Sequence, residues 1–289
     1  MGKRQATGAR RDQNGDGSRA RWLAPGTLDA AWHSPRRFFH ATSARDGFDA
    51  FLASVAFATE SGPAVVLTHS NAWYVPTLVG NLLHSVRLHD PRHRVGVVCV
   101  DDEGFEAAIA REFVAHRLEL EELDDVPRTG TIFETEGYRL LASAKLFLCE
   151  LALRAGYRVL YLDPDQALLA PCIDDLFGWD ADVVVQVRLD GHNCHGVIKL
   201  ECTEDAAGYV HVPVDTPVRE RLNDEDVTFA SWQRLSATGR AAGLPFEQFP
   251  TGDSLERLRD QARLAHFNYC IGLDAKIALA RRCGCWHLD

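Results

Sequence analysis

The feature that most constrains the fold is a rhythm of short, continuous apolar runs separated by helical patterns. After Gly62-Pro63, residues 64–69, 95–100, 158–162 and 182–187 each read as a strand buried on both faces. Between the first two runs, Val75, Leu78, Val79, Leu82, Leu83 and Val86 recur at helical spacing over 73–88. Residues 104–115 and 139–155 carry helical patterns too, the second closed by Gly156, and 118–121 is a candidate third strand. Strand–helix–strand alternation predicts an α/β architecture: a mainly parallel, twisted, Rossmann-type sheet with helices on both faces. Beyond about residue 190 the pattern is less regular.

Ahead of this rhythm, Phe48, Phe51, Leu52 and Val55 define an amphipathic helix over 46–59, with Asp46 as its N-cap. Residues 1–20 are polar and glycine-rich, so 1–45 is expected to be a disordered or extended arm and 46–289 a single domain. The net charge of −10 argues against nucleic acid as a partner. No apolar run approaches the roughly 18 residues of a membrane span, and no signal-peptide core follows the polar start. With no anchor visible, a cytoplasmic location is the expectation, and a secretory lumen fits if an anchor was removed. The eight cysteines show no paired spacing, and several lie in apolar runs as small buried hydrophobes, a pattern that favours a reducing compartment. Cys194, His195 and Cys202 lack a fourth partner for a zinc site.

The sharpest chemical signal is Arg158-Val159-Leu160-Tyr161-Leu162-Asp163-Pro164-Asp165. Two carboxylates, one residue apart, leave the C-terminal end of an apolar strand, which is where open α/β sheets bind ligands. In extended backbone both point to one side. Two hard oxygen donors suit Mg²⁺ or Mn²⁺, and a cation lets an acidic chain accept a diphosphate. The bland reading is a solvated turn built on Pro164. A phosphohydrolase that uses the first Asp as nucleophile is a second reading, although such motifs want Thr or Val where this chain has Ala167.

The segment His266-Phe267-Asn268-Tyr269-Cys270-Ile271-Gly272-Leu273-Asp274-Ala275-Lys276, followed by Gly284-Cys285-Trp286, resembles the closing segment of the nucleotide-diphospho-sugar transferases of glycosyltransferase family 77. Its His, Gly and Lys spacing is similar to that of the glycogenin-like family 8. The resemblance covers most of 63–289 and implies a GT-A-like fold. It implies Mn²⁺ (or Mg²⁺) held by Asp163, Asp165 and His266, with Asp163 also at the ribose. Gly272 and Lys276 would meet the diphosphate, Thr68 and Asn71 the base or ribose, and Tyr74 would stack on the base. Lys145, one of only four lysines among 31 basic residues, would face the donor. Ser70 or Asn71 as a helix cap is the structural alternative. The implied activity is transfer of a sugar, most simply UDP-linked, to an acceptor hydroxyl with retention, on a glycan, protein or small molecule that the sequence does not name.

Two departures matter. The family's Asn before a central-strand Gly has its counterpart in Ala206-Ala207-Gly208, without the Asn; Asn193-Cys194-His195-Gly196 is the other alignment. The family's Asp-Gln pair near the reacting sugar becomes Asp224-Glu225, which makes these two the candidate catalytic residues and puts an anion near the anomeric carbon. A catalytically silent nucleotide-sugar-binding module is a third reading that these losses suggest, and a misplaced match on an exposed acidic helix start is the bland reading of Asp224-Glu225.

Overall fold

The computed structural model describes residues 22–23, 32, 34–123, 135–216 and 223–289. In chain order the elements are α1 (Arg45–Val55), β1 (Phe57–Thr59), β2 (Gly62–Ser70), α2 (Gly80–His89), β3 (Val95–Cys99), α3 (Asp102–Ile109) and β4 (Ala115–Arg117). Then come α4 (Glu136–Arg154), β5 (Arg158–Leu162), β6 (Gln166–Leu168), α5 (Ile173–Phe177), β7 (Val183–Val187), β8 (Asn193–Leu200) and α6 (Glu204–Val210). The described chain closes with α7 (Asp224–Ala237), β9 (Ala241–Gly243), α8 (Leu255–Leu258), β10 (Leu264–His266) and α9 (Leu273–Arg282).

The main sheet runs β4-β3-β2-β5-β8-β7-β9, with β1 folded back on β2. Strands β4, β3, β2, β5, β7 and β9 share one direction, and β8 is antiparallel to both of its neighbours. The mainly parallel α/β sheet expected from the apolar runs is therefore present. A separate two-stranded ladder pairs β6 with β10, putting His266 opposite Gln166.

Strand alternation explains why helices cover both faces. Val65, Leu67, Val159, Tyr161, Val183, Val185, Ile198 and Leu200 point into one core with α1, α4, α6 and α7. Their neighbours Ala64, Val66, Leu160, Leu162, Val184 and Val197 point into the other with α2 and α5. Each buried Val or Leu contributes roughly 1.5–3 kcal/mol, which gives the sheet the reserve to carry a charged cluster at one edge. From the arm, Trp32 and Phe39 are buried in the first core, and Arg37 and Ala41 bridge to Pro213 and Leu120. No described helix is long and apolar enough to cross a membrane.

Several boundaries differ from the sequence expectation. Helix α1 takes Ala44, not Asp46, as N-cap; Asp46 sits in the first turn, where its charge faces the positive end of the helix dipole. The 73–88 helix opens with a π turn at Val75–Val79, where Pro76 supplies no N–H, before α2 begins. Helix α3 stops at Ile109, and Glu112 turns the chain with φ 57. The next strand is Ala115–Arg117 rather than 118–121, an outer strand whose residues are only half-buried and so carry no apolar run. Of the expected 122–137 loop, 124–134 lie outside the described residues, and Glu136 already belongs to α4, capped by Thr135. The 1–20 tail also lies outside them.

Candidate active site at the carboxyl edge of the sheet

The edge formed by the ends of β2, β5 and β7 and the start of β8 gathers the chemistry. Asp163 and Asp165 leave β5, and His266 ends β10. One ligand atom from each of the three lies within 4.8 Å of the others. The orientation of the carboxylates follows from their lysines. Asp163 Oδ1 accepts from Lys145 Nζ at 2.9 Å and from Tyr161 Oη at 2.9 Å. Its Oδ2 accepts from the same Lys145 Nζ at 3.2 Å and lies 3.8 Å from His266 Nε2. Asp165 Oδ2 accepts from Lys276 Nζ, leaving Oδ1 at 3.4 Å from the same Nε2. Asp165 thus spends one oxygen on an ammonium and presents the other to His266, while Asp163 straddles Lys145 with both oxygens and still brings Oδ2 toward the same nitrogen. Two carboxylate oxygens and an imidazole nitrogen converging there form a donor set that fits Mn²⁺ or Mg²⁺.

The electrostatics keep Asp165 ionised. Burial alone would raise the Asp165 carboxyl, but Lys276 and then His266 outweigh it and hold it far below the usual range. Burial likewise disfavours charge on Lys145, but Asp163 and Asp224 hold it protonated well above its ordinary value. The Lys276 ammonium is held up by Asp165 against its burial.

Lys145 is buried between two acids, Asp163 and Asp224 Oδ2 at 3.0 Å, and also donates to the His195 carbonyl. It organises carboxylates rather than opening onto a cleft. Asp224 is itself buried, accepting from His195 at 3.0 Å, and is held low by Lys145 against its burial. Its neighbour Glu225 behaves differently: burial, then the Asp224 charge, raises its carboxyl. Glu225 lines a cavity of about 210 Å³ with Arg188, Asp190, Asn193 and Phe229, its Oε2 4.0 Å from Arg188. The structure therefore separates the Asp-Glu pair into an inward anchor and a cavity-facing acid.

At the end of β2, Thr68 is fully buried and its hydroxyl has no partner. Asn71 is also buried and its Oδ1 is unpartnered, so neither it nor Ser70 caps the following helix; Tyr74 stands at that N-cap position. The nearby Asp101 carboxylate instead ties the loop, accepting from Ala72 and Gly104 backbone N–H groups. Tyr74 lies close enough to Lys276 to bear on its charge. Gly272 caps α9 with φ 88, a conformation that favours glycine, and its Cα faces open space.

The sequence reading missed several neighbours. Gly208 lies on helix α6, not on a central strand, so the Ala206–Gly208 alignment fails there. Gly196 on β8 is the glycine at the site: its carbonyl accepts from Asp163 N at 2.8 Å, and a Cβ on it would overlap the His266 ring. His69 Nδ1 meets Tyr161 Oη at 2.6 Å, linking β2 to the Asp163 network. Gln186, fully buried on β7, lies 2.8 Å from His266 Nδ1. A lone Gln inside the apolar run 183–187 was the available signal. Cys194 and His195 diverge, Cys194 toward Gln186 and His195 toward Asp224 and Tyr209, while Cys202 bonds the Leu153 carbonyl; they form no joint zinc site.

No protein-family model matches the chain, and no curated protein does either. The solved structures to which the chain is similar include three glycosyltransferases. The galactosyltransferase LgtC, in complex with donor and acceptor sugar analogues, is 13% identical over 78% of this chain and 96% of its own, with a TM-score of 0.49. The bifunctional glycosyltransferase WbbM is 13% identical over 77% of this chain, with a TM-score of 0.48. Mouse xyloside xylosyltransferase 1 is 10% identical over 73% of this chain and 99% of its own, with a TM-score of 0.45. The chain spans half the length of WbbM.

Proposed function

We propose that this chain is a divalent-cation-dependent glycosyltransferase that moves a sugar from a nucleotide diphosphate donor, UDP-linked, to an acceptor hydroxyl with retention. The observation that supports this most is the convergence of Asp163, Asp165 and His266, from distant parts of the chain, on one point flanked by the buried Lys145 and the half-buried Lys276. Bound there, Mn²⁺ or Mg²⁺ would offset the charge of a departing diphosphate. Lys276 lies where it can exchange Asp165 for a phosphate oxygen and add a second positive charge to the leaving group. Lys145 and Tyr161 hold Asp163 in place, with Oδ2 kept on the His266 side of the carboxylate. Asn71, with its unpartnered buried carbonyl, is a ready acceptor for a base or ribose donor group. Glu225, with its raised carboxyl and its place in a small polar cavity, is assigned to the sugar side of the site.

The test is a thermal-shift panel of nucleotide sugars with and without Mn²⁺, followed by sugar release from the best binder. A donor at a hundred times its Kd should stabilise the fold by about 2.7 kcal/mol, and only with metal present. Stabilisation without turnover would point to a silent binding module. Phosphate release from simple esters without nucleotide would point to a phosphohydrolase.

A further inference from the structure

Resting on the metal-site reading above, we propose that Gln186 is a positioning residue that sets which nitrogen of His266 carries a proton. It keeps Nδ1 protonated and so turns the Nε2 lone pair toward Asp163 and Asp165. The argument begins in the sheet. The β7–β8 pairing breaks register between Val185 and Gln186, so that Val185 faces Ile198 while Gln186 faces Cys194. Such breaks re-aim side chains beside functional sites. Here the Gln186 amide reaches two backbone carbonyls, Phe249 at 2.9 Å and Pro250 at 3.0 Å.

Carbonyl oxygens only accept hydrogen bonds, so the end of the amide that meets them must be its NH₂. The other end, Oε1, then faces His266 Nδ1 at 2.8 Å. An acceptor at that distance requires a donor, so Nδ1 carries hydrogen. With the opposite tautomer, two lone pairs would face each other across a buried contact. The second neighbour of Nδ1, the Cys194 sulfur, is 3.9 Å away. Burial and the Glu225 charge keep that thiol protonated, and it points at Gln186 Oε1 at 3.6 Å. It therefore reinforces the acceptor rather than competing for the ring proton.

The ring packs directly on the β8 backbone. Gly196 on β8 lies so close that a Cβ there would overlap ring atoms Cε1 and Nδ1. With Nδ1 committed to Gln186, Nε2 is the nitrogen that remains, 3.4 Å from Asp165 Oδ1 and 3.8 Å from Asp163 Oδ2. A cation can take that position without disturbing the Nδ1 bond. Ligand histidines are generally oriented in this way by a partner on the far nitrogen.

Long-range ¹H–¹⁵N NMR of the metal-free full chain tests this directly, with the His266 signals assigned by their loss in His266→Gln. Nδ1 should be protonated whether the ring is neutral or charged; an unprotonated Nδ1 overturns the proposal. In Gln186→Leu, checked for fold by circular dichroism, the proton should no longer be confined to Nδ1. Mn²⁺ affinity read by electron paramagnetic resonance should fall about 10–100-fold. Wild-type Mn²⁺ affinity in a folded Gln186→Leu also overturns it. Should that variant not fold, the wild-type spectrum alone decides. If wild-type chain fails to bind Mn²⁺, the metal reading falls, and the Nδ1 assignment is still judged by its own spectrum.

Discussion

Strand β5 carries a buried ionic cluster at each end, and the two are built on opposite terms. At its start, Arg158 donates to Glu201 from Nε at 2.7 Å, to Thr59 at 2.6 Å and to the Phe177 carbonyl at 2.7 Å. Lys199 joins Glu201 and donates to the Trp179 and Ala181 carbonyls. Two cations enclose one carboxylate, and backbone oxygens absorb the remaining donors. At its end, Asp163, Asp165 and Asp224 share Lys145 and Lys276, and Asp163 and Asp165 each keep an oxygen turned to His266. Thr68 Oγ1, Asn71 Oδ1 and both amide atoms of Gln166 are buried near this edge without partners among the described residues. Burying polar groups unpaired is costly. A closed cluster stabilises the sheet, whereas an open one is stabilised by the sheet.

The sharpest way to break this contrast is Asp165→Ala. It should lower Mn²⁺-dependent sugar release by at least about a thousandfold, roughly 4 kcal/mol in barrier, while circular dichroism stays unchanged. Undiminished turnover, or turnover that survives chelator, would show that the open cluster is not the site.

Arg158→Met probes the closed cluster. Removing one partner of a buried pair should cost about 3 kcal/mol of stability, read from the urea midpoint, while the folded fraction keeps its Mn²⁺ affinity. Loss of metal binding in a still-folded variant would mean that the two ends are not separable.

Lys276→Ala should weaken UDP binding in Mn²⁺ by about 1.5–3 kcal/mol, the range for a hydrogen bond to a charged group. Lys276→Arg should not restore it, because a planar fork does not fit where a compact ammonium does. Calorimetry on both variants decides: wild-type affinity in the Ala form removes the contact, and full rescue by Arg removes the argument from shape.

The smallest effect concerns acid. Burial, then the charge of Lys145, lowers His69 from 6.5 to about 4. The folded protein therefore keeps this ring neutral where the unfolded chain protonates it. The stability this contributes is complete above pH 6.5 and lost as pH falls toward 4. For a single group it amounts to about 1.4 kcal/mol by pH 5.5. His69→Gln should flatten that part of the urea-midpoint profile between pH 7 and 5.5, and an unchanged slope would refute the assignment.

The parallel sheet and the Asp163–Asp165 pair were legible because both are local: an apolar run predicts its strand, and the motif is contiguous. His266 and Lys276 were legible only as a spaced pattern, since 111 residues separate Lys276 from the Asp165 it touches. What stayed hidden depends on register. Whether Gly196 or Gly208 meets the site turns on one lying in β8 and the other in α6, and the short helix leaves no strong period in Ala206-Ala207-Gly208. Glu225 and Asp224 looked alike as a dipeptide, yet adjacent positions on a helix face different ways, so one is buried on Lys145 while the other meets a cavity.

The ladder between β6 and β10 has a consequence for how the chain comes off the ribosome. All eight strands of the main sheet lie before residue 244, while His266 and Lys276 follow in β10 and α9. A nascent chain can therefore pair the described strands of its main sheet with Asp163 and Asp165 still lacking their histidine, although Leu264 of β10 has yet to join the second core. Only when β10 docks against β6, bringing His266 opposite Gln166, does the three-donor point exist. A chain clipped after the Leu255–Leu258 helix would keep every described strand of the main sheet and lose the point at which its carboxylates converge with His266, so the sheet and the three-donor cluster can be separated by a single cut.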